Sequence, residues 1–254
     1  MSGILQGKKI IVMGVANSRS IAWGCARQIM AQGGEVIYTY QNERMKKSLV
    51  RMDLPEDHLF ECDAADDASI ERAFSGIKAR FGQAAGLVHA IAFAPKNELE
   101  GSILNSTRDG YLTAQSISSY SLIAVAKAAV SLDLLSRPAS IVTLTFMGST
   151  RAIVNYNTMG IAKAALESSV RYLARDLGAN GIRVNAISAG AMKTLAVTGI
   201  GDHKQLLEQS KNRTVDGVNV TLDELGNTCA FLTSDLATGL TGDVIYVDKG
   251  VHLS

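Results

Sequence analysis

The chain of 254 residues is 47% hydrophobic and 19% charged, with a formal net charge of +1. That supplies one large core and no charge excess of the kind that holds nucleic acid by its phosphates. Its three cysteines, Cys25, Cys62 and Cys229, are odd in number, far apart and set among apolar neighbours, which argues against a disulfide framework or a metal site and for buried reduced thiols. No apolar run reaches the roughly 18 residues of a membrane span and no basic-then-apolar leader is visible, so a cytoplasmic protein with no membrane partner is expected.

In chain order, Lys8–Gly14 is an apolar run closing on glycine, the pattern of a buried parallel strand. Ile21–Gln32 follows as a helix, with Ile21, Ala22, Cys25, Ala26 and Ile29 at helical spacing and Ser20 as its expected N-cap. A glycine at a strand end, followed by the unpaired N–H groups of a helix start, makes an anion site that suits a pyrophosphate. The usual Gly-x-Gly-x-x-Gly is absent here, and only Gly14 and Gly24 are in place. The second strand, Glu35–Tyr40, leads into Gln41, where a dinucleotide fold reads the adenosine ribose. Gln41 can bond a ribose hydroxyl but brings no charge for a 2′-phosphate, which favours NADH over NADPH, although Arg44, Lys46 and Lys47 are close in sequence.

A helix near Glu43–Met52 and a strand at His58–Cys62 come next; Asp63 can then meet the adenine edge or cap the helix Ala68–Phe81, and both readings can hold. Gly86–Ile91 is the fourth strand, and Ala92-Phe93-Ala94-Pro95 ends it with small residues that let backbone approach a cofactor ring. Arg108–Leu132 reads as one long helix whose small-residue face suits a contact between subunits. Ser140–Thr145 and Arg183–Ile187 are the fifth and sixth strands. A long irregular segment, about 191–215, with a helical patch at Lys204–Ser210, has the length of a substrate lid. The helix Thr221–Leu232 and the strand Asp243–Val247 complete a single domain over residues 1–254.

The candidate chemistry is in Asn155-Tyr156-Asn157-Thr158-Met159-Gly160-Ile161-Ala162-Lys163. If Tyr156 to Lys163 is helical, seven steps of about 100° bring both side chains within roughly 20° of one another, about 10 Å apart along the axis. A phenol with an ordinary pKa of about 10 is a poor acid near neutrality, unless a fixed positive charge polarises its O–H or favours ionisation. Lys163 can supply that charge.

These residues carry a resemblance. Tyr156-x-x-Met159-x-x-x-Lys163 differs from the Tyr-x-x-x-Lys of common short-chain dehydrogenases, which would need the lysine at Gly160. It is similar to the divergent branch of that family formed by the bacterial type I enoyl-[acyl-carrier-protein] reductases. The likeness runs through Gly14-Val15-Ala16, Ser20-Ile21-Ala22-Trp23-Gly24, Cys62-Asp63, His89–Ala94, Ile117–Ser121, Arg183–Gly190 and Val247-Asp248. It implies an α/β Rossmann fold with a doubly wound seven-stranded parallel sheet, a homotetramer, and reduction of the trans-2 double bond of an enoyl thioester on acyl carrier protein by NADH or NADPH. It also implies site residues. Tyr156 is the donor to the thioester oxygen and Lys163 holds the nicotinamide ribose. Gly14, Ala16, Ser20 and Ile21 are at the pyrophosphate, Gln41 at the ribose, and Asp63 and Ala64 at adenine. Ile91 and Ala92 lie beside the cofactor, and Met192 and Thr194 at the nicotinamide amide and phosphates. Ala94, Phe146, Tyr156 and Met159 line the substrate.

Three positions depart from the family pattern: Phe146 replaces a tyrosine, and Val154 and Ala191 replace prolines. The missing hydroxyl at Phe146 implies slower turnover with the same reaction. Two rival readings are a carbonyl-reducing short-chain dehydrogenase, which would add a serine donor near Thr145 and Phe146, and a cofactor-binding homologue with weakened activity. The carrier protein is acidic in this pathway, so His203, Lys204, Lys211 and Arg213 are candidates for a steering rim at the lid.

Overall fold

The computed structural model describes residues 3–192 and 203–253. Seven strands form one parallel sheet in the order β3-β2-β1-β4-β5-β6-β7. They are β1 (Lys9–Met13), β2 (Glu35–Tyr40), β3 (Leu59–Glu61), β4 (Ala84–His89), β5 (Leu135–Thr145), β6 (Ile182–Ala189) and β7 (Val244–Val247). Side chains alternate across the strands, so β1 sends Ile10 and Val12 to one face and Ile11 and Met13 to the other. Both faces are covered, which is why its strands read as continuous apolar runs.

On the first face, α1 (Ile21–Ala31) packs Ala22, Cys25, Ala26 and Ile29 with Leu225, Cys229 and Ala230 of the helix Leu222–Thr233, here α8. Their approach depends on glycine: a Cβ at Gly226 would stand 2.3 Å from the carbonyl oxygen of Gly24. On the second face lie α3 (Asp67–Phe81), α5 (Ser121–Ser131) and α6 (Asn157–Gly178), through Ile70, Phe74, Ile77, Val125, Ala129, Leu166 and Val170. The other α-helices among the described residues are α2 (Glu43–Val50), α4 (Arg108–Gln115) and α7 (His203–Arg213).

Two expectations change. The predicted long helix Arg108–Leu132 is divided, because Ser116–Tyr120 forms a π turn between α4 and α5. Four serines in six residues mark the place: hydroxyls compete for backbone groups and lower helix propensity. Asp63 does not cap the following helix. Asp66 does, accepting from the Ala68 N–H at 3.0 Å. All three cysteines are free and buried, and among the described residues no helix is long and apolar enough to cross a membrane.

Candidate active site

Parallel strands direct their carboxyl ends to one edge, and the crevice opens where the strand order reverses, between β1 and β4. Gly14 follows β1 there with φ +96°, and a Cβ on it would meet the Ala90 carbonyl oxygen at 2.2 Å. Only glycine fits, since the conformation is left-handed and the neighbour is backbone. Ser20 holds the N-cap position of α1, but its side chain does not cap the helix; its hydroxyl donates to Asn17 O at 2.7 Å and accepts from Ala16 N at 3.4 Å. The Ile21 and Ala22 N–H groups that open α1 therefore keep their capacity for an anion, while Trp23 N donates to Ser20 O at 3.0 Å. Ala16 is braced from behind, its carbonyl accepting from the Ser48 hydroxyl at 2.7 Å.

Gln41 and Asp63, at the ends of β2 and β3, are joined by a 3.4 Å hydrogen bond from the Gln41 amide. Asp63 also accepts from Ala65 N at 3.0 Å, which leaves Ala64 at the tip of a tight turn. After β4, residues 91–94 are pinned by Ser118: its hydroxyl accepts from Phe93 N and donates to Phe93 O, both at 2.9 Å. The π turn thus presents Ser118 to the segment containing Ile91, Ala92 and Ala94. Met192 is buried and lines a recess with Ala191, Leu207, Asn219, Val220 and Leu222. Thr194 lies outside the described residues, as do the side chains of His203 and Lys204.

Tyr156 is not inside the helix but at its N-cap, with φ −118° and ψ −26°. Its carbonyl accepts from Met159 N at 2.9 Å and Gly160 N at 3.2 Å. Both neighbours are left-handed, Asn155 at φ 59° and Asn157 at φ 27°. Each bonds Gly101: Asn155 Oδ1 accepts from its N–H at 3.3 Å, and Asn157 Nδ2 donates to its carbonyl at 3.1 Å. Asparagine tolerates that conformation better than most residues, and the paired bonds hold the turn. The half-buried Tyr156 ring meets Phe146 edge-on, with centroids 5.1 Å apart. Met159, on the first turn of α6, is buried.

Lys163 is buried, and its Nζ donates to Leu144 O at 2.7 Å. An ammonium group has three donors, so two remain for a ligand. Burial lowers its pKa to about 8, with Glu167 opposing the drop. Tyr156 moves the other way, because burial and then the Glu167 charge hold its phenol well above the usual range. Near neutral pH this phenol is therefore protonated and able to donate. His89, fully buried on β4, lies 2.8 Å from Ser121 Oγ and 3.0 Å from Thr143 Oγ1. Ser121 donates to Ile117 O and Thr143 to His89 O, so each ring nitrogen faces a hydroxyl able to accept from it. Burial, and then the Lys163 charge, bring His89 down to about 3.

A profile of the Enoyl-(Acyl carrier protein) reductase family matches residues 14–252. This chain belongs to that family. It is 61% identical over 250 residues to the enoyl-[acyl-carrier-protein] reductase [NADH] FabI of Enterococcus faecalis, covering 98% of this chain and 99% of that one. The Bacillus subtilis enzyme of the same name is 46% identical over 258 residues, covering 100% and 99%. Among solved structures, the Bacillus cereus enoyl-acyl carrier protein reductase with NADP+ and indole naphthyridinone superposes with a TM-score of 0.94 at 44% identity, over 99% of each chain. The Anaplasma phagocytophilum reductase in complex with NAD gives 0.93 at 40% identity, over 100% and 97%. Sequence reasoning missed Asn155, Asn157, Ser118, Thr145 and Glu167, whose partners are all distant in the chain or hidden by helical periodicity.

Proposed function

We propose that this enoyl reductase family member reduces the trans-2 double bond of an enoyl thioester presented by acyl carrier protein, with NADH as reductant. The observation that carries the reading is one helix, α6, with a protonated phenol at its N-cap, Tyr156, and a buried ammonium within it, Lys163, bonded to the carboxyl end of β5. The donor set fits a dinucleotide. The α1 N–H groups and the Gly14 turn suit a pyrophosphate, Gln41 suits a ribose hydroxyl, and Asp63 with Ala64 suits adenine. The bound coenzyme supplies hydride to C3 of the substrate. Tyr156 donates to the thioester oxygen as negative charge gathers there, before the enolate is protonated at C2. One preorganised donor of this kind is typically worth about 3–4 kcal/mol. Lys163 holds the nicotinamide ribose and adds positive charge, Met192 and Thr194 contact the nicotinamide amide and phosphates, and Ala94, Phe146 and Met159 border the acyl chain.

The segment about 191–215 acts as the lid. Lys211 and Arg213, exposed on the last turn of α7, belong with Lys204 to the rim that steers the acidic carrier. A homotetramer is supported by the exposed apolar residues Tyr111, Leu112, Tyr120 and Ile123 along α4, the π turn and α5, and by Ile161 and Tyr172 on α6. Three buried free thiols suit the cytoplasm.

The test follows NADH and then NADPH absorbance with crotonyl thioester against a panel of ketones. Oxidation of NADH by the thioester, lost in Tyr156→Phe, is expected. Turnover of ketones alone would replace this reading with a carbonyl reductase. No turnover at all, with NADH still bound, would leave the cofactor-binding homologue.

A further inference from the structure

Helix α6 carries a carboxylate where its packing calls for an apolar residue. Glu167 is 8% exposed, beside Leu166 and near Val170 in the stripe that covers the sheet. Its Oε1 accepts from the Thr145 hydroxyl at 2.7 Å. One turn earlier, Lys163 donates to the carbonyl of Leu144. The last two residues of β5 are therefore gripped by a buried anion and a buried cation from successive turns of one helix. Phe146 comes immediately after them.

We propose, on the reading of function given above, that Glu167 is a positioning residue for Lys163: one turn apart on α6, the buried carboxylate and the buried ammonium grip adjacent residues of β5, and the carboxylate is the countercharge that keeps Lys163 cationic at the cofactor site. Burial works against that charge, since an isolated ammonium in this pocket loses its proton more easily. Among the described residues the groups acting on Lys163 are Glu167 on α6, His89 on β4 and the Leu144 carbonyl on β5. His89 is neutral, and the carbonyl has no net charge. Glu167 is the negative charge that acts on Lys163, and the same charge raises Tyr156. A single carboxylate thus favours both protonation states that the reaction requires. The competing account is mechanical: Glu167 serves only to bond Thr145 and seat α6.

Two variants separate the accounts. Glu167→Gln keeps the size and an oxygen for Thr145 but removes the charge; Glu167→Asp keeps the charge and withdraws it from Thr145. The readout is the Kd for NADH, from nicotinamide fluorescence, as a function of pH, together with the basic limb of kcat/KM for crotonyl thioester. In Glu167→Gln, the pH at which NADH binding weakens falls by about one pH unit or more, and the kinetic limb moves with it. Well below that pH its Kd matches wild type. Glu167→Asp keeps the wild-type limb. An unmoved limb in Glu167→Gln, or a moved one in Glu167→Asp, overturns the proposal. Should Glu167→Gln fail to fold, Thr145→Val takes its place, because it breaks the anchor and keeps the charge: an unmoved limb upholds the proposal and a moved one defeats it. Wild-type protein that binds NADH but leaves every enoyl thioester unreduced defeats the functional reading itself, whereas an active wild type with an insensitive Glu167→Gln defeats only this inference.

Discussion

Replacing Gly148 by alanine probes the site with one methyl group. An added Cβ would stand 2.5 Å from Cδ1 and 2.7 Å from Cε1 of Tyr156, and 3.3 Å from Cδ1 of Phe146. Carbon atoms prefer about 3.5–4.0 Å, so the Tyr156 ring must move by about 1 Å. Its backbone has little freedom to follow, because the N-cap turn is held through Met159, Gly160 and the two asparagine bonds to Gly101. The hydroxyl at the ring tip is therefore displaced. A misplacement of about 1 Å costs on the order of 10²-fold in rate, or about 2.7 kcal/mol of barrier. Overpacking adds about 1–3 kcal/mol of lost stability. NADH affinity should stay within about threefold, since Lys163 and the α1 N-terminus are untouched, and the rate loss should appear in kcat. The assay is NADH oxidation with crotonyl thioester, paired with NADH titration and thermal unfolding. A kcat within about threefold of wild type in a folded Gly148→Ala protein would refute the assignment of Tyr156 as the donor in this position.

Other consequences are equally direct. Phe146→Tyr adds a hydroxyl beside Tyr156, and a second donor at the thioester oxygen should raise kcat by roughly tenfold; a lower kcat would contradict the reading of Phe146 as a lost donor. His89 is held neutral down to about pH 3, while an unfolded chain protonates it near 6.5. The unfolded state then binds more protons as pH falls below 6.5, so stability is lost at about 1.4 kcal/mol per pH unit, or about 2 kcal/mol by pH 5. Urea unfolding at neutral pH and at pH 5 should show that loss reduced in His89→Gln, and an identical loss in both proteins would show that His89 is not its source. Gly226→Ala forces a methyl against the Gly24 carbonyl at 2.3 Å. It should cost about 2–3 kcal/mol and weaken NADH binding by shifting α1, so an unchanged Tm would mean that the two helices are not in such close contact.

Much of the architecture was legible because it rests on local periodicity. All seven strands follow from short apolar runs near glycine or a polar turn, and α1, α3 and α8 begin or end within a few residues of their expected limits. The Tyr156–Lys163 spacing, the Gly14 turn and the family match were equally readable from residue order. The π turn was not, because a helical pattern of apolar residues tolerates one inserted residue; the serines there lower helix propensity, but the bond from Ser118 to Phe93 exists only in the folded chain. Nor was the N-cap placement of Tyr156, which depends on Gly101, more than fifty residues earlier in the chain. Glu167 looks like an ordinary helix carboxylate four residues from a lysine; its burial and its bond to Thr145 exist only once α6 lies on the sheet. Residue order alone was enough for the order of elements, the reaction family and the candidate phenol and ammonium, since spacing along a chain is a local property. Tertiary structure alone decided their protonation states and the rigidity of the turn that aims them, because desolvation and long-range hydrogen bonds arise only when distant segments pack together.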